Sequence, residues 1–123
     1  MLLEDQHFYT LIEQRQTEDG FVKSTIKLNE QHPIYKGHFP QQAVVPGVCM
    51  MQLIAELTSK ALKQALSIRK AQQAKFLIPI VPDKSPELTV NINYKKTVAG
   101  PLKVSGSIES DIGIFFKFKG LLA

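Results

Sequence analysis

The sequence predicts an α+β fold in which a sheet is wrapped about one long helix. Two observations carry this. Residues 48–67 contain no Gly or Pro and are dominated by Leu, Ala, Met, Gln, Glu and Lys, all strong helix formers. Two strand-like segments precede that run and four follow it, each bounded by turn residues. A helix apolar nearly all round can bury its surface only inside other secondary structure, and here the only partners on offer are strands.

The elements follow in order. Residues 8–16 are mixed but compatible with a strand. Residues 21–28 alternate cleanly, with Val22, Ser24, Ile26 and Leu28 against Phe21, Lys23, Thr25 and Lys27, and Asp19-Gly20 forms the turn before them. Residues 32–42 hold Pro33, Gly37 and Pro40 in mixed polarity and read as an irregular loop. Pro46-Gly47 opens the helix, where proline's missing N–H does no harm. Polar residues on that helix, Gln52, Glu56, Ser59/Lys60 and Lys63, fall on one stripe. Strands are then expected over 74–81, 87–94, 102–109 and 114–121, separated by turn-rich segments at 82–86, 99–101 and 110–113.

Bulk properties narrow the class. The 123 residues suffice for one compact domain, 1–123, and are too few for two ordinary ones. With 44% hydrophobic and 21% charged residues the chain is globular rather than disordered. Its one cysteine, Cys49, excludes an intrachain disulfide and fits a reduced, cytoplasmic setting. No apolar run is long enough to span a membrane, and the start lacks the basic-then-apolar order of a secretory signal. The net charge of +4 is lopsided: residues 1–59 hold 4 Lys/Arg against 7 Asp/Glu, and residues 60–123 hold 11 against 4. Such a basic half is either a solvated lysine surface or the footprint of an anionic partner: nucleic acid, coenzyme A or an acidic carrier protein. Nucleic acid is disfavoured, since no aromatic-basic platform motif is present.

Most chemistries lack their residues. No nucleophile elbow surrounds any serine, three histidines show no ligand spacing and so imply no metal, and no glycine-rich loop cradles a phosphate. Cys49, within the apolar helix, reads as a packed core residue, and His7 as structural or exposed. His38 differs. It lies in Gly37-His38-Phe39-Pro40, and eight residues later Pro46-Gly47-Val48 opens the helix. A helix N-terminus offers unpaired N–H groups and the positive end of a dipole, which suit a thioester carbonyl gaining negative charge. A base beside it can take the acidified C2 proton. By itself His38 is also compatible with a loop histidine making a structural hydrogen bond.

The stretch His32-Pro33-Ile34-Tyr35-Lys36-Gly37-His38-Phe39-Pro40, followed by Val44-Val45-Pro46-Gly47-Val48, resembles the signature of the (3R)-hydroxyacyl-[acyl-carrier-protein] dehydratases. Residues 74–83 resemble the strand that follows that family's central helix. The resemblance implies a hot-dog fold, an antiparallel sheet wrapped around one long central helix. It also implies dehydration of 3-hydroxyacyl thioesters to trans-2-enoyl thioesters, in fatty-acid or polyene-type biosynthesis. His38 would be the base, and the Gly47 N–H would hold the thioester carbonyl, with Phe39, Pro46 and Val48 around the substrate. The substrate would arrive on the phosphopantetheine of an acyl carrier protein, with no further cofactor. The family forms a homodimer or higher oligomer in which two sheets join, and the helix acid comes from the subunit opposite the histidine.

The chain departs from the family at that acid. Fourteen residues after His38, where the family has Glu or Asp, stands Gln52, and Glu56 follows four residues later. A carboxamide gives up no proton near neutral pH but can hydrogen-bond a hydroxyl. A four-residue step advances about 6 Å along a helix with nearly the same facing. Three arrangements stay open: Glu56 as acid, directly or through water; Gln52 holding water or hydroxyl while His38 moves the proton; or altered chemistry. The last includes an acyl thioesterase and a non-catalytic acyl-chain or carrier-binding subunit. Gln41-Gln42-Ala43 also replaces the family's usual Gly-x-Pro spacer.

Overall fold

A computed structural model of the chain describes residues 3–37 and 43–123. It contains β1 (Tyr9–Gln16), β2 (Phe21–Leu28), α1 (Ile34–Gly37), α2 (Gly47–Leu62), β3 (Ile68–Phe76), β4 (Glu87–Lys96), β5 (Leu102–Ser110) and β6 (Gly113–Leu122). All six strands form one sheet in the order β1-β2-β4-β5-β6-β3, and every neighbouring pair is antiparallel. The helix α2 packs across it against β2, β4 and β6. This is the hot-dog arrangement that the sequence predicts.

Alternation positions the core. Val22, Ile26, Leu88, Val90, Ile92, Val104, Ile108, Phe116 and Phe118 point inward from the strands, and Leu53, Ile54 and Leu57 meet them from α2. Ile54 of α2 presses on Gly106 of β5, where an added Cβ would come within 2.9 Å of the Ile54 Cδ1. A glycine in mid-strand is weak on its own, and here it opens the notch into which Ile54 presses. A polar bridge from β1 crosses this interface. The Gln14 Nε2 donates to both the buried Ser24 Oγ and the Leu57 carbonyl, at 3.0 Å each.

The boundaries differ from expectation in three places. The helix stops at Leu62, not near Ser67: Lys63 turns left-handed (φ 55°), and the Ser59 hydroxyl bonds Ala55 and Leu66 across the turn. The strand β3 occupies residues 68–76, not 74–81. It is an edge strand exposed along most of its length, so nothing forces its side chains to alternate. Residues 77–81 are irregular although apolar, in keeping with Pro79 and the following Pro82, which lack ladder donors. The loop expected at 32–42 contains the short helix α1.

Candidate active site at the start of the central helix

The segment entering α2 is fixed by the Val45 N–H, which donates to the Ile80 carbonyl at 2.9 Å. Pro46 then caps the helix in extended conformation with no side-chain hydrogen bond to the first turn. The N–H groups of Cys49 and Met50 bond back to the Pro46 carbonyl at 3.0 and 3.3 Å. Those of Gly47 and Val48 meet no backbone acceptor among the described residues. They are the free donors a helix N-terminus carries, with the positive dipole end behind them.

Gly47 is glycine for a visible reason. The Phe76 ring lies over it, and an added Cβ would sit 3.0 Å from the ring carbons Cε1 and Cζ. Phe76 in turn stacks on Phe116, with centroids 4.8 Å apart. Val48 is 75% exposed and Phe76 53% exposed, and Leu77 and Ile78 beyond Phe76 are exposed as well. The free donors are therefore set at an apolar rim, which suits a ligand with one polar group on a hydrocarbon chain. The sequence singled out Gly47, Pro46 and Val48 for this place. It missed Phe76, because no residue spacing announces that the end of β3 covers the start of α2.

Gln52 lies half-buried further along α2, and no side-chain hydrogen bond within the described residues uses it. Glu56 lies one turn further and is only 3% exposed. Its Oε2 accepts the Leu3 N–H at 2.7 Å, and its Oε1 accepts the Glu4 N–H and the Tyr9 hydroxyl at 3.2 Å each. Glu4 closes the same knot through an ion pair with Lys60 at 2.7 Å. Both oxygens of Glu56 are thus engaged in holding the N-terminal turn onto α2. Burial, and next the Glu56 charge, push the Tyr9 phenol far above its ordinary range.

Cys49 is buried, and burial followed by the Glu56 charge raises its thiol, which matches a packed core residue. Beside it stands Tyr35 of α1, 7% exposed, whose hydroxyl has no hydrogen-bond partner among the described residues. Burial and the Cys49 charge raise that phenol too. His7 takes a left-handed backbone (φ 60°) in the N-terminal turn. His38 and Phe39, the base and one substrate-binding residue expected from sequence, lie outside the described residues.

The family model described as ApeI-like, ApeI dehydratase, matches residues 13–107. The chain belongs to the ApeI-like dehydratase family. Among curated proteins this ApeI-like chain resembles the 3-hydroxyacyl-[acyl-carrier-protein] dehydratase FabZ of Klebsiella pneumoniae and that of Cronobacter sakazakii. Each is 24% identical over 98 residues, covering 72% of this chain and 64% of the relative. The chain therefore spans less than two thirds of the length of these relatives. Among solved structures it superposes on the dehydratase heterocomplex ApeI:P from Xenorhabdus doucetiae with a TM-score of 0.71. The identity there is 20%, over 93% of this chain and 96% of the other. A putative thioesterase from Ralstonia eutropha superposes with a TM-score of 0.64 at 13% identity, covering 98% of this chain and 87% of that one. The ApeI-like chain thus shares its hot-dog fold with dehydratases and thioesterases alike, and fold alone does not choose between them.

Proposed function

We propose that this chain dehydrates 3-hydroxyacyl thioesters carried on an acyl carrier protein, in the cytoplasm, and hydrates trans-2-enoyl thioesters in reverse. The observation that carries the reading is the pair of free N–H groups at Gly47 and Val48, set at an apolar rim in a chain of the ApeI-like dehydratase family. In this reading the Gly47 N–H donates a hydrogen bond to the thioester carbonyl oxygen as charge develops on it. His38 takes the C2 proton and returns it to the departing hydroxyl. Gln52 orients that hydroxyl, and Glu56 is the anchor of the N-terminal turn and not the acid. The engaged oxygens of Glu56 and the unengaged side chain of Gln52 support that division.

A homodimer or higher oligomer joined along β3 fits the exposed edge of that strand, which among the described residues pairs only with β6. A second reading has its own support. A chain with Gln52 in the acid's place suits one partner of a mixed dehydratase complex. The ApeI:P structure is described as a heterocomplex. The test is spectroscopic hydration of carrier-bound trans-2-enoyl thioesters of several chain lengths, with His38→Ala alongside. Turnover that is lost in His38→Ala supports the dehydratase. Release of free thiol from acyl thioesters instead marks a thioesterase. Activity only after adding a relative marks a subunit.

A further inference from the structure

The outer face of the sheet carries an arrangement that packing does not explain. Registers across the strands align one row of residues from edge to edge: Arg15 faces Lys23, two neutral residues follow on β4 and β5, and Lys117 faces Lys75. Two residues further along, Lys119 lies on β6, and beyond it Lys103 of β5 faces Lys95 of β4. All these cations are exposed. Three pairs of like charges thus stand directly opposite one another within three neighbouring rows, and each such pair is destabilising in a sheet.

Neutralisation from within the chain is slight. The carboxylates nearest in the ladder, Glu13 and Glu109, belong to the adjoining row. Glu13 pairs with Arg15, and Glu109 accepts a 2.6 Å hydrogen bond from the Asn91 Nδ2. None of the lysines in these rows has an ion pair among the described residues. Between Lys75, Lys117 and Lys119 lies a groove of about 440 Å³ lined by amides and hydroxyls, without a carboxylate. A field of this kind attracts an extended anionic surface and gives it neutral hydrogen-bonding groups to settle on. Its position matters too. Lys75 and Lys117 lie one residue from Phe76 and Phe116, the rings stacked beside Gly47.

We infer that this outer sheet face is the docking surface for the acidic face of the carrier protein, held there by Lys75, Lys117 and Lys119 beside the rim at Phe76. The inference rests on the proposed function and names the surface its partner uses. The charge field is extended and flat, and the aromatic side chain in its rows, Phe21, is half-buried on the far side from Lys119, which favours an acidic protein over a single-stranded nucleic acid.

The test compares wild type with the double variant Lys117→Glu, Lys119→Glu, and with Lys84→Glu in the loop after Pro82 as a control for charge alone. Steady-state kinetics are run with an enoyl thioester on the carrier and with the same acyl group on free pantetheine. The double variant should raise KM for the carrier-bound substrate by about tenfold at low salt. KM for the pantetheine thioester, and kcat for both, should stay unchanged, and Lys84→Glu should leave all of them unchanged. Equal KM for carrier substrate in wild type and double variant overturns the inference, as does an equal rise for both substrates. If wild type turns over neither substrate, the dehydratase reading fails separately, and calorimetric titration with the carrier decides the surface. Binding weakened in the double variant supports it. No binding, or salt-sensitive binding to DNA or anionic vesicles in its place, overturns it.

Discussion

Glu56 of α2 and Tyr9 of β1 share a buried 3.2 Å hydrogen bond, and the same carboxylate holds the N–H groups of Leu3 and Glu4. A carboxylate that stands one helical turn past Gln52 is in this way committed to tying the N-terminal turn to the central helix. Replacing it tests structure first. Glu56→Gln places an amide N–H₂ against donors, so the protein should lose about 2 kcal/mol or more of stability. Tyr9→Phe removes one neutral donor and should cost about 1 kcal/mol. Denaturant unfolding measures both. Below its melting temperature Glu56→Gln should keep its hydration rate within a few-fold, whereas an acid's role would show as a loss of about 100-fold.

Gln52 is expected to behave in the opposite way. Gln52→Ala should lower kcat by about tenfold through loss of a hydrogen bond to the reacting oxygen. Its melting temperature should change little, because the side chain is half-buried and makes no hydrogen bond within the described residues. Rates equal to wild type would remove Gln52 from the site.

The contact between Gly47 and Phe76 gives a steric prediction. Gly47→Ala pushes a methyl group against the ring at 3.0 Å, and the half-exposed ring can yield. Stability should change by less than about 1 kcal/mol, since Ala is favourable in a helix. Turnover should fall with the displacement of the rim. Adding Phe76→Leu should restore part of it in the same assay.

Three buried groups set the alkaline limit. Burial raises Cys49, Tyr9 and Tyr35 above their ordinary values. Below the unfolded-state values both states hold these protons and the contribution to stability is complete. As pH rises past about 8.5 for the thiol and about 10 for the phenols, the unfolded chain releases protons that the folded chain keeps. Stability should therefore fall from about pH 8.5 and more steeply above about pH 10. Tyr35→Phe should flatten that fall. It should also raise stability at neutral pH by about 1 kcal/mol, because it removes a buried hydroxyl that has no partner among the described residues. Melting curves across pH 7–11 check both statements.

Legibility in the sequence followed physical constraint. Residues 21–28 were plain because β2 has one buried and one exposed face, so its pattern carries period two. The edge strand β3 was misplaced because Arg69, Lys70, Ala71 and Gln72 are all exposed and no face selects their side chains. The start of α2 was legible from Pro46-Gly47. Its end was not, since Lys63 adopts a left-handed turn without the glycine that normally marks one. The place of Gly47 at the opening of the helix could be read from its motif. The partners of Glu56 could not, because they come from residues 47 to 53 positions away and only the folded chain brings them together. The like-charge rows of the outer face were visible only as an excess of lysine until the strand order was known.

The central claim is that the free donors at Gly47 work with His38 on an acyl thioester. The most direct test is the initial rate of hydration of a carrier-bound trans-2-enoyl thioester by wild type and by His38→Ala, with matched melting temperatures. The account predicts turnover by wild type and a loss of about 100-fold or more in the variant. Equal rates in the two proteins, or no turnover by wild type at any acyl-chain length, would contradict it.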